Sequence, residues 1–258
     1  MQFRDLLVVV PHSGIIIPNE ISFDSLSNEF PMLIRNVDWY TNWLYDFRDI
    51  LGNSQLTFPY CSLILEANRH PEKIEDCIPL KDILGRSIYR HGHEPDQKLR
   101  QSLSRKYLHM FHSDISVEIS RGKIFMLNGH STVTSQGLTD NQIELMNFQD
   151  LNQDSEPTYF CPDVFIETYA NELAKMLPKV KVTVNESKYG RVYGHVCGEH
   201  SINAMTKIGN KVPAILQETN QRLYMYADGT PNVEALEALR RAFAQALYQM
   251  RRKIPIPR

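Results

Sequence analysis

Leu6-Leu7-Val8-Val9-Val10-Pro11-His12-Ser13-Gly14 is a run of five apolar residues that stops abruptly at proline, histidine, serine and glycine. A β-branched run this short, bounded by turn formers, predicts a buried strand. Strands buried on both faces belong to parallel sheets, and open α/β sheets bind ligands at the carboxyl ends of their strands. His12 is therefore delivered to a place where chemistry is done. The pattern returns downstream: Lys123-Ile124-Phe125-Met126-Leu127 runs into Asn128-Gly129-His130-Ser131, and Pro213-Ala214-Ile215-Leu216 runs into Gln217-Glu218. Two imidazoles and a carboxylate, each at a strand exit, can converge on one point. The expected architecture is α/β: one domain over residues 1–258, with a central, mixed but mostly parallel sheet flanked by helices.

Composition narrows the class. The chain has 258 residues, 42% hydrophobic and 22% charged, which is ordinary globular composition. A formal net charge of −2 gives no electrostatic footprint for nucleic acid or a membrane surface. No apolar run approaches a membrane span of roughly 20 residues. The N-terminus lacks the pattern of a signal peptide. Cys61, Cys77, Cys161 and Cys197 are scattered, without a CxxC pair. That favours reduced thiols and a cytoplasmic protein over a disulfide frame.

Along the chain, Trp39, Trp43, Leu44, Phe47 and Ile50 or Leu51 share one face of a predicted helix over Asp38–Ile50, where Asp38 could cap free amides. A strand is expected over Leu56–Leu65, with Pro59 marking an edge or bend. It leads to Glu66-Ala67-Asn68-Arg69-His70-Pro71, another strand exit. Residues 72–95 lack periodicity and read as a long active-site loop. Further helices are expected at Gln97–Ser120, with a stripe of Leu99, Leu103, Tyr107, Met110, Phe111 and Ile115, at Asp163–Leu177, and at Glu234–Met250. Strands are expected at Ile143–Phe148 and Val180–Val184. The polar stretch 131–140 and the segment Lys188–His195, rich in glycine, tyrosine and bases, read as loops near the site.

The chemistry follows from residue type. Zinc takes imidazole nitrogen and carboxylate oxygen, and a catalytic zinc site uses about three protein ligands beside an open position. His12 and His130 form the natural pair; no HExxH helix motif is present. Glu218 is the candidate general base, able to take a proton from water and hand it to a leaving amine. Its plain structural alternative is an ion pair with Arg222. Arg69, with Asn68 beside it, offers a planar fork for a substrate carboxylate.

Taken together, these residues resemble the N-formylglutamate amidohydrolase family, which is similar in fold to zinc carboxypeptidases and aspartoacylase (zinc exopeptidase-like, phosphorylase/hydrolase-like). The matching blocks are Val10-Pro11-His12-Ser13-Gly14 through Pro18, Val37-Asp38-Trp39 with Leu44-Tyr45-Asp46, and Asn68-Arg69-His70-Pro71. They continue with Tyr107, Phe111-His112, Gly129-His130-Ser131, and Gln217-Glu218 through Arg222-Leu223-Tyr224-Met225. The resemblance implies a zinc-dependent hydrolase of a small N-acyl amino acid such as N-formyl-L-glutamate. It implies His12, His130 and Asp38 as Zn2+ ligands, Glu218 as base, and Asn68 and Arg69 as the substrate grip. Ser13, His112 and Arg222 lie in the same blocks and complete the candidate substrate contacts. Three departures from the family pattern stand out: Asn128 replaces an aspartate, which would weaken support of a metal histidine, Glu66-Ala67 replaces Asp-Leu, and the glycine-rich segment before the last strand is altered around Tyr193–His200. A carboxypeptidase-like metallopeptidase and a metal-retaining binding protein without catalysis remain open at this point.

Overall fold

The computed structural model describes residues 1–133, 139–149, 157–186 and 194–256. Strand β1 (Leu6–Val10) is followed by three short helical turns, α1 (Phe30–Leu33), α2 (Thr41–Leu44) and α3 (Arg48–Leu51), and by β2 (Ser54–Thr57). Next come α4 (Ile74–Cys77), α5 (Gln97–Leu103) and α6 (His109–Ser120), then β3 (Phe125–Thr132), β4 (Gln142–Met146), β5 (Phe148–Gln149) and β6 (Thr158–Tyr159). The remaining elements are α7 (Asp163–Met176), β7 (Lys181–Val184), α8 (His195–His200), β8 (Ala214–Asn220) and α9 (Val233–Lys253).

Six strands form a sheet in the order β2-β1-β3-β8-β4-β7, while β5 and β6 make a separate two-stranded ribbon. The first four strands in that order are mutually parallel, and β4 joins β8 antiparallel and β7 parallel. The sheet is thus mixed and mostly parallel, with helices on both faces. Leu6, Val8, Leu127 and Ile215 pack on one face with Phe165 and Tyr169 of α7 and Phe243 and Leu247 of α9. Leu7, Val9, Met126 and Leu216 pack on the other with Ile115 and Ile119 of α6 and Val196 of α8. The alternation of strand side chains between faces produces this division directly.

Several expected elements change. The continuous helix over Asp38–Ile50 is broken into α2 and α3, with Tyr40 in the left-handed region at φ 60°. Asp38 does not cap it, because its carboxylate is drawn toward β3 instead. Strand β2 ends at Thr57 rather than running to Leu65. Beyond Pro59, which has no N–H to donate, only isolated bridges tie Tyr60 and Cys61 to Ile16 and Gly14. Residues 72–95 are irregular apart from α4, and Arg100 clamps them by donating to the carbonyls of Ile74 and Ile78. Helices α5 and α6 are joined by a π-helical turn at Ser104–Leu108. The extra residue per turn moves the buried stripe to Leu103, Leu108, Phe111, Ile115 and Ile119 and leaves Met110 exposed. Helix α9 runs on into the basic residues Arg251, Arg252 and Lys253. Of the expected loops, residues 134–138 and 188–193 lie outside the described residues, while Ser131 and Thr132 belong to β3 and His195 opens α8.

Candidate metal centre and active site

The central strands extend past the apolar runs that announce them. Strand β3 continues to Thr132 and β8 to Asn220, paired in register from Met126↔Ala214 to Thr132↔Asn220. His130 and Glu218 therefore lie within the sheet, opposite one another, rather than in loops beyond it. Gly129 permits this packing: a Cβ there would lie 2.6 Å from the Tyr45 ring, whose hydroxyl donates to the His130 carbonyl at 2.8 Å.

Asp38 arrives on the loop before α2. Its Oδ2 accepts from the Ser131 backbone N–H at 3.0 Å and lies 3.6 Å from His12 Nδ1 and 3.5 Å from His130 Nδ1. The two Nδ1 atoms are 3.2 Å apart. Gln221 braces the Asp38 loop against β3, its amide donating to the Val37 carbonyl and to Ser131 Oγ. Among the described residues, His12, Asp38 and His130 form the one group of three His, Cys, Asp or Glu side chains close enough to hold a metal ion. Two imidazole nitrogens and a carboxylate oxygen, half-buried to buried and mutually facing, fit zinc by donor chemistry.

The charges are strongly coupled. Burial alone would lower the His12 pKa, but the Glu66 and Asp38 carboxylates outweigh it and raise it to about 10. Burial lowers His130, with Asp38 opposing. Burial would raise Asp38, yet the two imidazoles hold it well below the usual carboxylate range.

Glu66 is a functional candidate that reasoning from sequence treated only as a departure. Its Oε1 lies 2.5 Å from His12 Nε2 and accepts from the Asn68 backbone N–H at 2.9 Å. Burial opposes its ionisation, but His12 and Arg69 bring it down to about 2. A carboxylate on the outer nitrogen of a metal histidine fixes the ring's tautomer and orientation. The signal available in the sequence was an acidic residue two positions before the Asn-Arg pair.

Glu218 faces His130 across one ladder and Glu144 across the other. It is buried, and its Oε2 has no hydrogen-bond partner among the described residues. Burial, then the negative charge of Asp38, raises its pKa well above the ordinary value. It makes no ion pair with Arg222, which sits on the exposed side of the turn following β8, its backbone N–H donating to Asn220 Oδ1.

The other expected residues divide. Ser13 follows His12 directly, with a buried Oγ that has no hydrogen-bond partner among the described residues. Asn68 is buried with its Nδ2 3.4 Å from His130 Nε2. Arg69 follows it, half-buried, donating to the Asn68 carbonyl at 3.2 Å. His112 stands apart: its Nε2 meets the Ala67 carbonyl at 3.0 Å and its Nδ1 meets His200 Nε2 at 3.1 Å. It belongs to a second imidazole group, stacked behind the Glu66–Arg69 segment, in which His195 links it to His70 at centroid distances of 4.6 and 4.5 Å. Among the described residues, Asn128 makes no hydrogen bond to His12 or His130. Its amide donates to Cys197 Sγ at 3.7 Å, so the expected loss of support at His130 has no contact behind it.

The sequence matches the family described as N-formylglutamate amidohydrolase over residues 4–225. No curated protein matches the chain. Solved structures that share the fold include the following two. An N-formylglutamate amidohydrolase from Ralstonia eutropha JMP134 is 17% identical, with TM-score 0.67 over 98% of this chain and 95% of its own. A gene product of Agrobacterium tumefaciens is 14% identical, with TM-score 0.65 over 96% of this chain and 92% of its own. With a family match over nearly its whole length, this chain belongs to the N-formylglutamate amidohydrolase family, whose members are hydrolases of carbon–nitrogen bonds.

Proposed function

We propose that the protein is a zinc-dependent amidohydrolase that releases a carboxylate and a free amino acid from an N-acyl amino acid such as N-formyl-L-glutamate. The observation that carries this reading is the facing set of His12, Asp38 and His130 with Glu218 paired opposite His130 in the sheet, its buried carboxyl oxygen unpartnered among the described residues. Those three side chains would hold the metal. Zinc, when bound, supplies Lewis acidity that makes water a nucleophile near neutral pH and polarises a carbonyl.

The chain's own groups complete the reaction. Glu218 takes a proton from the attacking water as its oxygen bonds to the acyl carbon. The carbon–nitrogen bond then breaks, and the same proton passes to the departing amine. Arg69 presents a two-point donor to the carboxylate of the amino-acid part. Four buried, unpaired cysteines are in keeping with a reducing, cytoplasmic setting. No helix among the described residues is long and apolar enough to cross a membrane.

Metal analysis of the purified protein, followed by turnover of N-formyl, N-acetyl and N-succinyl amino acids, tests the proposal. Stoichiometric zinc with release of free amino acid is expected. Metal binding without turnover across the panel would refute catalysis, and cleavage of short peptides instead would identify a peptidase.

A further inference from the structure

Asn68 is placed where it touches three parts of the molecule at once. Its side-chain Nδ2 faces His130 Nε2 at 3.4 Å, on the ring edge away from Asp38. Its Oδ1 accepts from the Val196 N–H at 3.1 Å and its backbone carbonyl accepts from the His195 N–H at 2.9 Å, so the first turn of α8 hangs on this one residue. Its own N–H donates to Glu66 Oε1, the oxygen that contacts His12 Nε2. The outer nitrogens of both proposed metal histidines are thus met by residues two apart on one segment. Gly194 closes the arrangement: a Cβ there would lie 3.4 Å from Asn68 Nδ2.

A side chain so committed is poorly disposed to hold substrate. We infer that Asn68 is a positioning residue: it orients His130 for the metal and ties that ring to the start of α8, rather than gripping the substrate as its pairing with Arg69 suggests. The inference rests on the proposed metal site. A metal on His130 Nδ1 leaves the ring proton on Nε2, which needs an acceptor. The Asn68 amide supplies one by turning its oxygen toward Nε2, which gives up the bond from the Val196 N–H and leaves the Asn68 backbone carbonyl, accepting from the His195 N–H, as the tie to α8. An aspartate at this position would offer one oxygen to Nε2–H and the other to Val196 N–H without that loss.

The test is zinc and cobalt titration of the metal-free full chain as native protein, Asn68→Ala and Asn68→Asp, with steady-state kinetics on an N-formyl amino acid. Asn68→Ala should weaken metal binding about 10–100-fold, the usual effect of losing an outer partner of a metal ligand, with KM nearly unchanged. It should also alter the visible spectrum of the cobalt form. Asn68→Asp should bind metal at least as tightly as the native protein. If Asn68→Ala keeps native metal affinity while KM rises, Asn68 holds substrate and the inference is overturned. Should Asn68→Ala fail to fold, Asn68→Asp decides: weaker metal binding in that variant also overturns it. A native chain that binds neither metal removes the proposed function and this inference together.

Discussion

Glu66 Oε1 and His12 Nε2 lie 2.5 Å apart, while the opposite ring nitrogen of His12 faces Asp38 and His130. The imidazole is thereby held between a carboxylate and the proposed metal position. Glu66→Gln retains the size of the side chain but loses the charge that orients the ring. It should weaken metal binding about 10–100-fold, measured by competition with a chromophoric chelator. Unchanged affinity would reduce Glu66 to a structural ion pair.

Glu218→Gln separates chemistry from binding. With the base removed, kcat should fall by about 10²–10⁴ while metal content and KM stay near native. Stability should move the other way. The folded state holds the Glu218 proton more tightly than the unfolded chain does, so this group's contribution falls as pH rises above the ordinary value of 4.5. Metal-free Glu218→Gln should therefore melt above the metal-free native protein at pH 8, with the difference shrinking toward pH 5.

Arg69→Lys keeps charge and loses the planar fork. For a substrate with a free carboxylate, kcat/KM should fall clearly. For the matching amide, which lacks the carboxylate, native and variant should be equally poor. Equal losses on both substrates would show that Arg69 acts on the scissile carbonyl instead.

The imidazole group behind the site predicts acid sensitivity. Burial, reinforced by neighbouring imidazoles, lowers His112, His195 and His200 to about 3 from an ordinary 6.5. Below pH 6.5 the unfolded chain binds protons that the folded chain refuses, so stability is full above that pH and is lost as pH falls toward 3. Urea unfolding of the metal-free protein between pH 8 and 4 should show this decline. His200→Gln keeps an N–H donor for His112 and removes one titrating ring, so it should flatten the decline; an identical slope would show that His200 does not contribute.

Much of this protein was legible in one dimension. The run Leu6–Val10 and the apolar starts of β3 and β8 determine three adjacent parallel strands, because fully buried strands need apolar side chains on both faces. The Pro-His-Ser-Gly and Gly-His-Ser endings then mark where polar groups gather, and His12, His130 and Glu218 do converge there. Periodicity also determined α7 and α9, whose buried stripes follow helical spacing without interruption.

Long-range contacts decided the rest. Asp38 reads as a helix cap because capping is local, yet its carboxylate bonds to Ser131 and faces His12 and His130, partners 93, 26 and 92 residues away that no local pattern encodes. The ends of β3 and β8 look like loops in sequence, but the two strands stay paired with each other to Thr132↔Asn220, and β4 pairs the other side of β8, so the polar residues there remain in the ladder. Glu66 read only as a departure from the family pattern and stands against His12. His112 looked like a site residue and stands with His200 instead. Residue type determines what a side chain can do; which of its possible partners it meets depends on the path of the whole chain.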